Sequence, residues 1–492
     1  MNPVQEILNR FEMIAAIPRA SKQEQQIARW LQDWAKKRSL PAQIDQAGNL
    51  VIRVPGTAGS ENASPIVLQG HLDMVCEKTP DSPHDFSKDP ICCIVDGDWL
   101  RADRTTLGAD NGIAIALAMA LVDNPQIVHP PLELLFTVEE EIGMGGAIRL
   151  QEGFIHGTTL LNLDSEEDDV FIVGCAGGKQ ATINLPLSFE GIGDEKVFKI
   201  MVSGLRGGHS GDDINKHRAN ANKLLARLLG ELRVKIIFRI ADLKGGTAHN
   251  AIPRDAEALI ALGGSDVPAL EGAIREFQQT MQHEYAATEP SILISLVQAE
   301  ADHILSHNDS GKVIDLLQAL PTGVAEMSAG IEGFVETSNN LASIRIQNNT
   351  LQVISSQRSM VMSRLDEITR RIEAIARLAG AQVDCNEGYP AWQPALSSPL
   401  LVRCREIYEM LFDKPPKVET IHAGVECGMI GKRYPKMDMI SIGPTILYPH
   451  TPDERLSIPS LLRFWNFLVE LLKSYTYNSG SVGLNSESME IK

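Results

Sequence analysis

The chain has 492 residues, 43% of them hydrophobic and 22% charged, with a formal net charge of −18. That length gives room for roughly two to four domains and a core able to support an enzyme. The acidic balance argues against nucleic acid or an anionic membrane as partner and suits a site that binds cations.

The opening stretch, MNPVQEILNRFEMIAAIPRA, carries Glu6 and Glu12 and reads as an amphipathic helix rather than a leader. A second helix follows in SKQEQQIARWLQDWAKKRS, and NLVIRV and PIVLQGHLD read as strands. GADNGIAIALAMALVDNP is an apolar helix opened by Asp110 or Asn111 and closed by Asn-Pro. PLELLFTV and TTLLNLDSEE are strands again. Short apolar strands between helices predict a mainly parallel sheet covered on both faces, an α/β architecture. From about Ala181 to Asp384 the texture changes to α+β, with β-rich stretches such as KVFKIMVSGL and LASIRIQNNTLQVISS between helices. MDMISIG then restores the buried-strand pattern, and SIPSLLRFWNFLVELLKSY is the last helix. The expected organisation is a discontinuous first domain, 1–185 and 385–492, interrupted by an inserted domain over 186–384. The polar tail from Asn478 is expected to fray. No apolar run is long enough to span a membrane. The seven cysteines form no CxxC pair and read as reduced, buried thiols of a cytoplasmic protein.

Functional residues gather where the first domain's strands end. PIVLQG leads to His71 and Asp73, LELLFTV to Glu139, Glu140 and Glu141, TLLNL to Asp164, and MDMISIGPTILYP to His450, while Asp110 stands at the entry of the apolar helix. In open α/β sheets ligands bind outside the carboxyl ends of the strands. Each residue has an ordinary reading. An HxD pair is common, acidic residues favour helix starts, Asp110 could be only a helix cap, DSEEDD could be a surface loop, and His450 could be a turn residue. Their shared placement is what singles them out. Imidazole and carboxylate without thiolate suit zinc or manganese in a hydrolytic site. Two histidines and three carboxylates exceed one tetrahedral ion and suit two ions that share a carboxylate. Asp110 is the expected bridge; His71 and Asp164 complete one ion, and Glu141 and His450 the other. A metal brings the pKa of a bound water to about 7, making hydroxide available near neutrality. Glu140 is the expected general base, and Asp73 the residue that holds the His71 imidazole in its ligating tautomer.

This pattern resembles the aminoacylase/carnosinase family of co-catalytic zinc metallopeptidases: H-x-D, an Asp at a helix entry, a Glu pair with base first and ligand second, a further acid and a late His. The resemblance covers nearly the whole chain. It implies a di-zinc aminopeptidase-like catalytic domain with the inserted domain as a lid, and a cis peptide at Asp110–Asn111. LQGHLDMVCEK, TTLGADNGIA, EEEIGMGGA, LLNLDSEE, GLRGGHSGDDI, HNAIPRDA and HAGVECG narrow it to the family's dipeptidases of broad specificity. By motif, His209 in GGHSG resembles the lid histidine that stabilises the oxyanion, and Asn250 in HNAIP the substrate-binding lid asparagine. Arg358 in SSQRSM would then meet the substrate carboxylate, its alternative being a solvated hairpin arginine. Gly424 and Glu426 in HAGVECG receive no role.

The resemblance thus implies a cytoplasmic enzyme hydrolysing unblocked dipeptides, including Xaa-His and β-alanyl-His. Its cofactors would be two divalent ions, zinc first, with manganese or cobalt compatible with the same donors. A homodimer is compatible with it. One alternative keeps the metals but acts on N-acyl amino acids, as an amidohydrolase or carboxypeptidase. A second is a non-catalytic metal- or peptide-binding scaffold.

Overall fold

The computed structural model describes residues 3–329 and 333–476; the tail from Asn478 lies outside the described residues. The chain forms two compact units. The first comprises Met1–Val173, Pro394–Thr420 and Val425–Lys492; the second comprises Gly174–Gln393 and Ile421–Gly424.

The first unit is built on an eight-stranded sheet in the order Ala42–Ile44, Leu50–Val54, Leu132–Thr137, Ile66–His71, Thr159–Asn162, Asp438–Ser441, Val170–Cys175, Lys417–Ile421. Its four central strands, Leu132–Thr137 to Asp438–Ser441, are mutually parallel. Strands Ala42–Ile44 and Leu50–Val54 join one side antiparallel, and Val170–Cys175 meets Asp438–Ser441 antiparallel on the other. Strands Ile66–His71 and Leu132–Thr137 are buried at every position, as a sheet covered on both faces requires. Because the central strands share a direction, their carboxyl ends share one edge.

Helix Ala109–Asp123 packs on strand Ile66–His71 and on helix Pro3–Ala15. It is buried continuously from Asn111 to Leu121, so its all-round apolar sequence is that of a core helix. Gly108 caps it, not Asp110 or Asn111, both of which have non-helical backbone angles. Helices Pro399–Phe412 and Ile458–Ser474 pack together. There Phe171 stacks on Phe467 with centroids 5.3 Å apart and meets Tyr408 edge-on at 5.5 Å. A small sheet of Ile446–Leu447, Arg455–Ser457, Trp99–Ala102 and Cys93–Asp96 was not expected; strands of two to four residues are too short to show periodicity. It holds the ends of the loop that carries His450.

The second unit is α+β. Its main sheet is antiparallel at every pairing described, with Val335–Gln347 against Thr350–Ser359, Thr350–Ser359 against Gly177–Pro186, and Lys196–Ser203 between Ala256–Leu262 and Leu293–Ala299. Helices Ala221–Lys235, Val267–Glu284, His307–Ala319 and Met362–Leu378 share one apolar core with it. The α/β sheet joined to an α+β unit is the predicted fold class.

Candidate metal centre

Strand Ile66–His71 ends on His71; Glu140 and Glu141 follow the end of Leu132–Thr137 and Asp164 the end of Thr159–Asn162, while Asp110 stands in the first turn of helix Ala109–Asp123 and His450 lies in the loop of the small sheet. His71 Nε2 lies 3.0 Å from Asp110 Oδ1 and 3.4 Å from Asp164 Oδ1. The other oxygen of Asp110, Oδ2, lies 3.0 Å from His450 Nε2, which is also 3.0 Å from Glu141 Oε2. Asp110 therefore stands between the two imidazoles, one oxygen toward each. The peptide between Asp110 and Asn111 is cis. Three groups have ligand atoms close enough to hold one ion: His71 with Asp110 and Asp164; Asp110 with Glu141 and His450; and His71 with Glu140 and Glu141. The third was not anticipated; it puts Glu140 within the same small space as the other donors.

Asp73 does more than face the His71 ring. Its Oδ1 is 3.4 Å from His71 Nδ1. Its oxygens also accept the amides of Glu140 and Glu141, at 3.1 and 3.2 Å, and the Ser21 hydroxyl at 2.8 Å. One carboxylate thus holds the histidine strand and the glutamate turn. Burial would raise Asp73, but His71, Ser21 and the Glu140 amide together keep it below the ordinary carboxylate range.

The glutamate triplet is not a solvated helix start. Glu139 turns out to Arg149, with the backbone left-handed at φ 56°, while Glu140 and Glu141 turn in. Burial, with nearby carboxylates adding to it, pushes the Glu140 carboxyl well above its ordinary value. Burial also raises Glu141 and Asp164. For Asp110 burial is outweighed by hydrogen bonds from His450 and His71, and its pKa falls. The same bonds to Asp110 and Glu141 push His450 up to about 11. Five carboxylates, Asp73 among them, thus surround two imidazoles, and both imidazoles are drawn toward the protonated form. Glu141 Oε1 is buried without a hydrogen-bond partner, and Asp164 Oδ1 has only the His71 imidazole, at 3.4 Å. Under-satisfied anionic oxygens among hard and borderline donors fit divalent cations.

Sequence reading missed the residues that hold this cluster. The buried Arg19 guanidinium donates to the carbonyls of Leu72 at 3.0 Å and Asp73 at 2.7 Å, and to Gly108. Glu454 accepts the amides of Leu107, Gly108 and Asp110 at 2.7, 2.9 and 3.2 Å. Together they grip the loop before Asp110 by its carbonyl and its amides. Their partners are backbone groups far away in sequence, so no local motif announces them. Glu426, left without a role, is fully buried, and burial pushes its carboxyl up to about 8.

The remaining candidates belong to the second unit, where they fall on adjoining segments. His209 lies on a short strand paired with Ala251–Ile252, and its Nδ1 is 2.9 Å from Asp212. The carbonyl of Asn250 accepts the Ser210 amide at 2.8 Å. Arg358 donates to the Tyr389 hydroxyl at 2.8 Å and to Ser210 Oγ at 3.5 Å. It is only 8% exposed, which rules out the solvated hairpin arginine.

Residues 67–474 match the family model for Peptidase family M20/M25/M40. The cytosol non-specific dipeptidase of Escherichia coli strain K12 is 43% identical over 467 residues, 94% of this chain and 96% of that protein. The crystal structure of aminoacylhistidine dipeptidase from Vibrio alginolyticus superposes with a TM-score of 0.86 at 37% identity, over 95% of this chain and 96% of that one. An aminopeptidase from Bacillus cereus shares the fold at 16% identity, TM-score 0.56, over 96% of this chain and 99% of that one.

Proposed function

The chain belongs to peptidase family M20/M25/M40, and from that premise we propose that it is a metal-dependent dipeptidase acting on unblocked dipeptides, Xaa-His and β-alanyl-His among them. The observation that carries the reading is Asp110, whose two oxygens lie 3.0 Å from His71 and 3.0 Å from His450. The E. coli and Vibrio relatives are named as dipeptidases, which supports the substrate class.

In this reading His71, Asp110 and Asp164 would hold one ion and Asp110, Glu141 and His450 the other. Zinc suits these donors, and bound zinc would polarise the scissile carbonyl and bring the pKa of the attacking water to about 7. Glu140 takes the proton from that water and delivers it to the leaving amine. A carboxyl shifted upward by burial suits both transfers near neutral pH. Asp73 holds His71 through Nδ1 and fixes the amides of Glu140 and Glu141, so base and ligands keep one geometry. His209 is assigned the oxyanion, Asn250 the substrate backbone and Arg358 the substrate carboxylate. The first unit is then the catalytic domain and the second the lid. A cytoplasmic setting follows the E. coli relative's name; no described helix is long and apolar enough to cross a membrane.

The test is a panel assayed on metal-stripped and zinc-restored protein: β-alanyl-His, Gly-Leu, a tripeptide and an N-acetyl amino acid. Zinc-restored cleavage of the two dipeptides is the expected result. Cleavage of the N-acetyl amino acid alone would replace the substrate class. Metal binding without hydrolysis of any substrate would indicate a scaffold.

A further inference from the structure

Beneath the strand ends that carry the candidate ligands lies a buried chain of polar side chains. Gln69, Thr137, Asn162 and Glu426 all have 0% exposure. Asn162 Nδ2 donates to Gln69 Oε1 at 2.6 Å. Gln69 Nε2 donates to Glu426 Oε2 at 2.6 Å, and the Thr137 hydroxyl donates to the same oxygen at 2.8 Å. Gln69 Nε2 is also 3.3 Å from Thr137 Oγ1.

The placement of the members is informative. Gln69 precedes His71 by one pleat of strand Ile66–His71, so both side chains leave the same face. Thr137 ends strand Leu132–Thr137, from which the chain turns into Glu140 and Glu141. Asn162 ends strand Thr159–Asn162, just before Asp164. These three strands are parallel neighbours, with Gln69 opposite Asn162 and His71 opposite Thr137. Glu426, first residue of helix Glu426–Arg433, enters from far along the sequence and is the common acceptor.

Stability does not explain such a group. Glu426 Oε1 and Asn162 Oδ1 are buried without a hydrogen-bond partner, and an incompletely satisfied polar network stabilises less than apolar side chains of similar volume. What the network supplies is position: it ties Gln69 and Thr137 to one Glu426 oxygen, and Asn162 to them through Gln69. We propose that Glu426 is a positioning residue that, through Gln69, Thr137 and Asn162, fixes His71, Glu140, Glu141 and Asp164 relative to one another. This inference rests on the metal-dependent reading above.

The experiment compares wild type, Glu426→Gln, Glu426→Met and Thr137→Val in the full chain. Kinetics on Gly-Leu are combined with calorimetric zinc titration of the stripped proteins and their Tm. Glu426→Gln keeps an acceptor in place, and its kcat and zinc affinity are expected within about threefold of wild type. Glu426→Met removes the acceptor; its kcat per folded molecule and its zinc affinity are each expected to fall about 10–100-fold, with KM within about twofold. If Glu426→Met does not fold, Thr137→Val, which deletes one donor isosterically, is expected to show the same losses on a smaller scale. Wild-type kcat and zinc affinity per folded molecule in Glu426→Met, or in Thr137→Val where only that variant folds, would overturn the proposal whatever the change in Tm. Wild-type protein that binds no zinc would overturn the metal-dependent reading, and this inference with it.

Discussion

Glu140 and Glu141 are neighbours in sequence, yet the fold sets them different tasks. Glu141 faces His450 at 3.0 Å, while the Glu140 carboxyl is shifted strongly upward by burial. Replacing Glu140 by Gln is expected to leave zinc content unchanged and to lower kcat by about 10²–10⁴, the usual contribution of a general base. Metal analysis with steady-state kinetics tests this, and near-normal turnover would remove Glu140 from the role. In the second unit His422 is buried, 2.8 Å from Ser338 Oγ. Burial, then the charge of Arg358, push its pKa down to about 3. Unfolded, the imidazole titrates near 6.5, so between those values the unfolded chain binds the extra proton. Its stabilising contribution is therefore complete above pH 6.5 and is lost as pH falls toward 3. The His422→Gln variant should lose less stability on acidification than wild type, by up to about 1.4 kcal/mol per pH unit. Urea unfolding between pH 7 and pH 4 measures this; equal slopes for the two proteins would refute it. At this scale sequence shows residue types and order. It cannot show that Arg19 and Glu454 grip the Asp110 loop, because both bind backbone atoms.

At the scale of elements, the site is a property of parallel strands ending together. The apolar runs and the glycine-flanked helix were legible because burial on both faces leaves a local hydrophobic signature. The margins were not. Leu50–Val54 reads as a strand, but its antiparallel pairing with Leu132–Thr137, like that of Arg455–Ser457 with Trp99–Ala102, joins segments remote in sequence. Close approaches are equally non-local. A Cβ built on Gly443 would stand 1.8 Å from the carbonyl oxygen of Ser165, next to Asp164. The Gly443→Ala variant is expected to lose about 1–3 kcal/mol of stability in urea and to bind zinc more weakly, since the loop carrying Asp164 must move. Unchanged stability and zinc affinity would show that the two segments can separate without disturbing the site.

On the scale of the whole molecule, a cluster of buried carboxylates is a cost in the metal-free chain and a gain when cations bind. Zinc at 100 times its Kd stabilises by about 2.7 kcal/mol, which should raise Tm by roughly 5–10 °C for a unit of this size. A scan of stripped protein with and without zinc tests this, and an unshifted Tm would contradict binding at the cluster. By itself the sequence determined which donors are available, their order along the chain, and the α/β and α+β character of its parts, because periodicity and strand-end placement are written locally. Asp110 as a bridge between the two histidines was expected from the donor set, but only the tertiary structure decided that Asp73 also holds the amides of the glutamate turn, that Arg19 and Glu454 grip the Asp110 loop, and that Glu426 lies buried beneath three strands. Those facts follow from pairing and packing between segments tens to hundreds of residues apart, from Asp73 and Glu140 to Gln69 and Glu426, and no local pattern encodes which remote partner a side chain will meet.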